Sequence, residues 1–176
     1  MAGEPKPHIR PISNIVIVVG VDSIGTIPSA LVTYAAIQAL QPDLIINAGT
    51  TGGFKGFDLY GVGLRKAFDT PNLTKELNLK VGRLSTGDSL DMALQDESLI
   101  KANDATVIDM EGAAIAYVAD LLKVPAIFVK AVTNIVDGDK PIVEEFLENL
   151  AAVADALDPA VEQIVKFING KSVSEL

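Results

Sequence analysis

The polar side chains best suited to chemistry lie within residues 107–141. Glu111 follows a short β-rich run and stands at the start of an alanine-rich helical pattern. A second apolar run, residues 126–132, ends in a predicted polar loop, residues 133–139, that contains Asn134 and two further acids. Carboxylates and carboxamides bind the hydroxyls of a polyol or the edge of a heterocycle through paired hydrogen bonds. These residue types therefore predict a site for a neutral small molecule rather than for a phosphate.

Two predicted strands and one predicted helix have to bring these groups together. In an open α/β sheet, ligands bind at the carboxyl ends of the strands, where strand ends and helix N-termini meet. A glycine-rich segment, GTTGG at residues 49–53, follows another predicted strand and is interpreted as a turn at the same edge. It lacks the GK[ST] of a P-loop and the GxGxxG spacing of a dinucleotide motif.

The first fifty residues predict one β-α-β unit with parallel strands. The β-branched run at residues 14–19 and the apolar run at 44–48 are typical of strands buried on both faces. Between them, Thr26 and Pro28 mark the start of a helix that extends to Leu40. Its apolar spacing predicts a buried helix with one face formed by Ile27, Ala30, Leu31, Tyr34 and Ala35.

The remaining chain predicts further alternation of helices and strands, without internal repeats. We expect a helix near residues 60–68, a strand at 81–86 followed by a turn and a short helix, and two C-terminal amphipathic helices broken near Pro159. This alternation predicts a single α/β domain over residues 14–176. Residues 1–13, which contain three prolines, are predicted to be a disordered lead-in.

The composition removes several classes of function. A net charge of −9 over 176 residues offers no basic stripe for nucleic acid. Without cysteine and with a single histidine, His8, neither a disulfide nor a metal site is expected, and no cofactor is predicted. No apolar run reaches the ~18 residues that cross a bilayer, so no membrane association is expected. The first residues, MAGEPKPHIRP, lack the apolar core of a signal peptide, so a cytoplasmic location is predicted. A mean hydropathy of +0.35 is consistent with an apolar subunit contact.

Six segments follow one another in chain order: GVDSIGTIPSA, DLIINAGTTGGF, FDLYGVGLR, RLSTGDSLDM, DMEGAAIAYVADLL and KAVTNIVDGDKP. Together they resemble the nucleoside phosphorylase and nucleosidase superfamily, and most closely the plant 5′-methylthioadenosine/S-adenosylhomocysteine nucleosidases. The resemblance implies a three-layer αβα fold with a central mixed sheet. It also implies a homo-oligomer, expected to be a homodimer, that hydrolyses the N-glycosidic bond of an adenine nucleoside and releases adenine in methionine salvage.

The resemblance also implies roles for individual residues. Thr50 and Gly52 would lie beside the sugar and the attacking water. The backbone around Leu90 would border the base. Met110 and Glu111 would hold the ribose, with Glu111 accepting hydrogen bonds from its 2′ and 3′ hydroxyls.

The residue implied to face the purine N7 departs from the family pattern. Family hydrolases carry an aspartic acid there as the general acid, and this chain carries Asn134, with Lys130 supporting the region. A carboxamide donates a hydrogen bond to N7 but delivers no proton, and general acid catalysis is worth about 10²–10⁴-fold. We therefore predict weak or absent turnover.

Two internal gaps form a second departure. In the family, the first strand is followed by a helix whose glutamate activates the hydrolytic water, whereas here Val19 joins Gly20 directly. Another sheet segment is missing after Lys55. The resemblance therefore implies a shortened form with some sheet segments missing. Open strand edges and uncovered apolar surface favour association.

Three functions are weighed on this basis. The first is a purine nucleosidase acting on 5′-methylthioadenosine, with S-adenosylhomocysteine as a possible second substrate that the sequence does not rank. The second is a non-catalytic nucleoside-binding or storage-like relative of the same fold. The third is a changed base preference for 6-oxopurines, and it ranks last because phosphate-binding arginines are not evident.

Overall fold

The computed structural model describes residues 10–20, 24–53, 67–89 and 94–176. The strands are β1 (Ile15–Val19), β2 (Leu44–Gly53), β3 (Leu84–Thr86), β4 (Val107–Asp109) and β5 (Ala126–Ile135). The helices are α1 (Thr26–Leu40), α2 (Pro71–Glu76), α3 (Leu94–Ala102), α4 (Gly112–Leu122) and α5 (Ile142–Ile168), and a short 3₁₀ turn (Val173–Glu175) follows.

β2 is the central strand of one mixed sheet. β1 runs parallel to it, with Ile15 opposite Leu44, and β5 runs parallel along its other edge. β4 is antiparallel to the last two residues of β2, and β3 is parallel to β4. The predicted parallel β-α-β unit is confirmed, because β1, α1 and β2 form a parallel pair with its crossover helix.

Helices cover the two faces of this sheet, which confirms the predicted layered α/β architecture. One face, called here the α5 face, has an aliphatic cluster whose buried residues are Leu44, Ile46, Leu73, Ile127, Ile164, Ile168 and Leu176. The other, called the α1/α4 face, has a second cluster whose buried residues are Val18, Ile37, Ile45, Ile115, Val118, Ala119 and Ala126. Since side chains alternate along a strand, Asn47 and Gly49 lie on the same face as Ile45.

Helix α1 has the predicted bounds, but the side that it buries is not the predicted one. The residues that it buries completely are Ser29 and Thr33, together with most of Ile37, whereas Ile27 and Leu31 are exposed. The helix contains no charged residue, so apolar side chains occur on all sides and their spacing does not identify the inner face. The predicted inward stripe therefore faces outward.

Several predicted boundaries also differ from the structure. The GTTGG segment is not a turn, because β2 continues through Gly53 and finds partners in β4 and β5. The strand predicted at residues 81–86 begins only at Leu84. The helix predicted near residues 60–68 lies largely outside the described residues, and Phe68 is not helical.

The C-terminal segment is one helix rather than two. α5 continues through Pro159, which removes one backbone hydrogen bond to the carbonyl of Asp155. Both residues are exposed, so water can solvate the carbonyl that the proline leaves without a donor.

The last residues of the predicted lead-in, 1–13, are bound to the fold. Arg10 pairs with Asp43, and Ser13 donates its backbone N–H and its hydroxyl to the same carboxylate, both at 2.9 Å. Burial opposes the charge of Asp43, but these hydrogen bonds and the Arg10 guanidinium hold its pKa below the usual range. The ordered fold thus extends at least to Arg10, and residues 1–9 lie outside the described part of the chain.

Candidate functional site

Glu111 is placed by the junction of β4 and α4. It occupies the N-cap position of α4, where its backbone leaves the helical conformation, and its side chain is buried. Its carboxylate accepts the backbone N–H of Gly25 at 3.2 Å and that of Met110 at 3.3 Å. Gly20 lies so close that a Cβ there would stand 3.2 Å from the Glu111 carboxyl carbon. The carboxylate is therefore enclosed by backbone from the end of β1 and the start of α1.

The environment of Glu111 favours its neutral form. Burial raises the pKa of this carboxyl group, and the negative charge of Asp109 adds to the effect. The Gly25 hydrogen bond and the positive charge of Lys130 act in the opposite direction but do not cancel it. Such a carboxylate gains from any further hydrogen-bond donor that a ligand brings.

A second carboxylate, Asp109, lies at the end of β4 and forms a buried ion pair. Its Oδ2 is 2.7 Å from Lys130 Nζ, and the two side chains are 1% and 8% exposed. The Thr86 hydroxyl donates to Oδ1 at 2.6 Å, and the backbone N–H of Gly112 donates to both oxygens at 3.0 and 3.1 Å. Asp109, rather than Glu111, therefore caps the first turn of α4 and joins β3, β5 and α4.

Asn134 lies in β5 opposite Gly52 of β2, which in turn pairs with Ile108 of β4. Its Oδ1 accepts the Thr133 hydroxyl at 3.0 Å, and both side chains are buried. A Cβ on residue 52 would stand 3.3 Å from the Asn134 amide nitrogen and 2.8 Å from Val136, so this close approach requires glycine.

The N-terminus of α1 is held by carboxylates from outside the helix. Thr26 begins α1 but does not cap it; its N–H and hydroxyl both donate to Asp88, at 2.6 and 2.5 Å. The Thr26 hydroxyl and then its N–H lower the pKa of Asp88. Together with the Gly25–Glu111 hydrogen bond, this arrangement places two carboxylates at the positive end of the α1 dipole.

The structure divides the predicted site residues into two groups joined by β2 and β4. Met110, Glu111 and Lys130 lie together around the end of β4. Gly52 and Asn134 form the second group, with Thr50 two residues before Gly52 in the same strand. Leu90 lies outside the described residues.

Sequence reasoning missed Asp109, whose side chain holds the first group together, and Thr133, which orients Asn134. A signal for Asp109 exists: Asp109 precedes Gly112 by three residues at a strand-to-helix junction, the spacing of a carboxylate that caps a helix. The signal for Thr133 is weak, because a threonine next to an asparagine in a strand is common.

Neither a metal cluster nor a membrane helix occurs in the described part of the chain. Within residues 10–20, 24–53, 67–89 and 94–176, no group of three or more His, Cys, Asp or Glu side chains could hold a metal ion. None of the helices in these ranges is long and apolar enough to cross a membrane.

The fold and the matched residues define the class: the chain belongs to the phosphorylase superfamily, whose family model matches residues 58–166. It is 59% identical to a 5′-methylthioadenosine nucleosidase of Arabidopsis thaliana over 182 residues, which cover 89% of this chain and 68% of that protein. It is 58% identical to a 5′-methylthioadenosine/S-adenosylhomocysteine nucleosidase of the same plant, with 89% and 72% covered.

A solved structure agrees with these relatives. The apo form of Arabidopsis thaliana 5′-methylthioadenosine nucleosidase superposes with a TM-score of 0.89 at 45% identity, covering 95% of this chain and 100% of that chain. Within the superfamily, the chain is a member of the 5′-methylthioadenosine/S-adenosylhomocysteine nucleosidase family. The family and the nucleoside phosphorylase-like fold predicted from the six segments are confirmed.

Proposed function

We propose that this chain binds 5′-methylthioadenosine, with hydrolysis of its N-glycosidic bond and release of adenine for methionine salvage as the reaction of its site. The observation that carries the proposal is the buried Glu111 carboxylate beside Met110, at the edge where β4 ends and α4 begins. The identities of 59% and 58% to proteins named as nucleosidases support the same reaction class.

In this proposal, Glu111 binds the ribose. A carboxylate accepts two hydrogen bonds from vicinal hydroxyls, and the buried setting strengthens both because little water competes. The backbone N–H of Gly25, which Glu111 now accepts, has to yield or share that oxygen when a sugar binds. Met110 packs against the sugar, Thr50 and Gly52 lie beside the sugar and the attacking water, and Leu90 borders the base.

Asn134 supports a second candidate, a nucleoside-binding relative without turnover. The Thr133 hydroxyl donates to Asn134 Oδ1, which leaves the amide N–H groups of Asn134 as donors. A donor suits recognition of the purine N7, but it does not protonate the leaving base, so one general acid term of about 10²–10⁴-fold is missing. We therefore propose binding with weak or absent hydrolysis.

The decisive experiment is adenine release from 5′-methylthioadenosine, comparing the wild type with Asn134→Asp. An aspartic acid at this position can deliver a proton, so we expect the variant to exceed the wild type by at least about 10²-fold. Gln163→Glu, which changes an exposed amide of α5 to a carboxylate, controls for the added charge. Rapid release by the wild type would overturn the prediction of weak turnover.

Binding is measured separately from turnover. A ligand that binds only the native state raises its stability, so 5′-methylthioadenosine should raise the melting temperature of the wild type. If neither the wild type nor Asn134→Asp is stabilised, the proposed nucleoside function fails. A parallel titration with S-adenosylhomocysteine ranks the two substrates.

We also propose that the protein is a homodimer whose contact includes the outer surface of α1 and α4. Ile27, Leu31, Tyr117 and Leu121 are exposed there, and α1 carries no charge. Large exposed apolar surface marks an interaction site. The cytoplasmic location stays a prediction.

The dimer is tested by light scattering with matched aspartate substitutions. Leu31 in α1 and Leu147 in α5 are 65% and 64% exposed. Leu31→Asp should yield monomers, because a charge buried in a contact is costly, whereas Leu147→Asp should leave the mass unchanged. A monomeric wild type would refute the dimer.

A further inference from the structure

We propose that Asp109 is a positioning residue for ribose binding: its buried ion pair keeps Lys130 from pairing with the Glu111 carboxylate, so that the hydroxyls of a nucleoside compete there with backbone N–H groups and not with a cation. The inference deepens the proposed function and rests on it. It assigns a role to a residue that need not touch the substrate.

The geometry begins with how Lys130 reaches Asp109. Asp109 lies in β4 and Lys130 in β5, and both strands pair with β2. Lys130 is in register with Gly49 of β2. A Cβ on residue 49 would stand 3.4 Å from Lys130 Nζ, so the ammonium group lies over β2 on the α1/α4 face. From there it contacts Asp109 Oδ2 at 2.7 Å, nearly without solvent.

Glu111 is the neighbouring buried carboxylate that competes for this cation. Its charge interacts with both Asp109 and Lys130, with opposite signs. A buried ammonium group without a partner is costly, so Lys130 has to pair with one of the two carboxylates. Asp109 holds Lys130, and among the described residues the hydrogen-bond donors to Glu111 are the backbone N–H groups of Gly25 and Met110.

Asp109 also holds the backbone on which Glu111 stands. It accepts the Gly112 N–H, and Thr86, which donates to it, accepts the Ala113 N–H at 2.9 Å. A purely structural role for Asp109 would consist of this capping alone. The two roles differ in one respect: capping does not depend on the charge of Lys130, whereas the positioning role does.

The experiment therefore compares Asp109→Asn with the double variant Asp109→Asn/Lys130→Met. In the single variant, Lys130 is expected to pair with Glu111, and the dissociation constant of 5′-methylthioadenosine should rise about tenfold or more. Adenine has no ribose, so its dissociation constant should stay within about twofold of the wild-type value. In the double variant the competing cation is gone, and most of the nucleoside affinity should return. Thr86→Val, which weakens capping without changing charge, should leave the ratio of the two constants unchanged.

A ligand-free measurement separates this inference from the proposed function. Carbon NMR of the Glu111 carboxyl group should show that Lys130→Met raises its pKa more in the Asp109→Asn background than in the wild-type background, because Lys130 approaches Glu111 only when Asp109 does not hold it. If the wild type binds no nucleoside, the proposed function fails and this titration still decides how Lys130 is held. Three outcomes would reduce Asp109 to a structural cap and overturn the proposal: equal losses of nucleoside affinity in the single and double variants, equal effects of Lys130→Met on the Glu111 pKa in the two backgrounds, or failure of both variants to fold.

Discussion

The two faces of the sheet differ in how they satisfy their buried groups. The α5 face is a layer of aliphatic side chains, with Leu44, Ile46 and Ile164 almost without solvent contact. The α1/α4 face combines an aliphatic cluster with buried polar and charged groups, among them Asn47, Asp109 and Glu111, and its covering helix α1 exposes apolar residues outward. The aliphatic packing of the α5 face mainly stabilises the fold, whereas the buried polar and charged groups of the α1/α4 face lower stability but can bind a ligand.

The strongest test of this difference is Lys130→Met on the α1/α4 face. Removing the cation leaves Asp109 buried without its ionic partner, which should lower the free energy of unfolding by about 3–5 kcal/mol in urea denaturation. Asp109→Asn/Lys130→Met removes both charges and should lose clearly less. Equal losses would mean that packing of the lysine stem, not the charge, stabilises this face.

The matching test on the α5 face is Ile164→Ala. Ile164 is fully buried among aliphatic side chains, so a cavity there should cost about 2–5 kcal/mol in the same denaturation experiment. Leu147→Ala, on the exposed side of the same helix, should stay within about 0.5 kcal/mol of the wild type. A small loss at Ile164 would show that the α5 face is loosely packed.

A gain in stability is expected on the α1/α4 face from Thr33→Val. The Thr33 hydroxyl is buried and has no hydrogen-bond partner among the residues that the structure describes, and an unsatisfied buried group costs about 1–3 kcal/mol. Replacing it by a methyl group of similar size should stabilise the fold by about 1 kcal/mol. A loss on thermal or urea unfolding would contradict the idea that this face tolerates unsatisfied polar groups.

The smallest effect should come from Glu111→Gln, and it should depend on pH. The pKa of Glu111 is higher in the folded than in the unfolded state. At pH values between these two pKa values the folded state binds more protons, so the free energy of unfolding falls as pH rises through this interval. The glutamine variant should therefore be more stable than the wild type at neutral pH. Below the ordinary glutamate range, near pH 4, this advantage should vanish. An advantage independent of pH would exclude the ionised carboxylate as its cause.

Local sequence predicted the β1–α1–β2 unit well, because each of its elements is determined by short-range patterns and by the handedness of the crossover. The extension of β2 through residues 49–53 was not predicted. Its glycines resemble a turn, and only β4 and β5, more than fifty residues later, supply the hydrogen-bond partners that make it a strand. The prediction of which face of α1 is buried was wrong for a related reason. Apolar side chains occur on all sides of this helix, so its orientation depends on the elements that pack against it.

The site shows the same division. Residue types and the six resembling segments identified Glu111, Lys130 and Asn134, and with them the nucleoside as the expected ligand class. They could not assign partners within the fold: the resemblance implied only that Glu111 holds the ribose, whereas in the structure Gly20 lies against its carboxylate and Gly25 donates an N–H to it. The sequence patterns did not identify Asp109, although its side chain forms the ion pair with Lys130.

By itself, the sequence determined the family, the order of the central β-α-β unit and the chemical types available for a site, since these follow from composition, local patterning and motif order. The tertiary structure decided which carboxylate pairs with Lys130, which side of α1 is buried and that β2 continues through residues 49–53. Those outcomes depend on groups far apart in the chain that compete for the same hydrogen-bond donors and the same buried space, and only the folded arrangement resolves that competition.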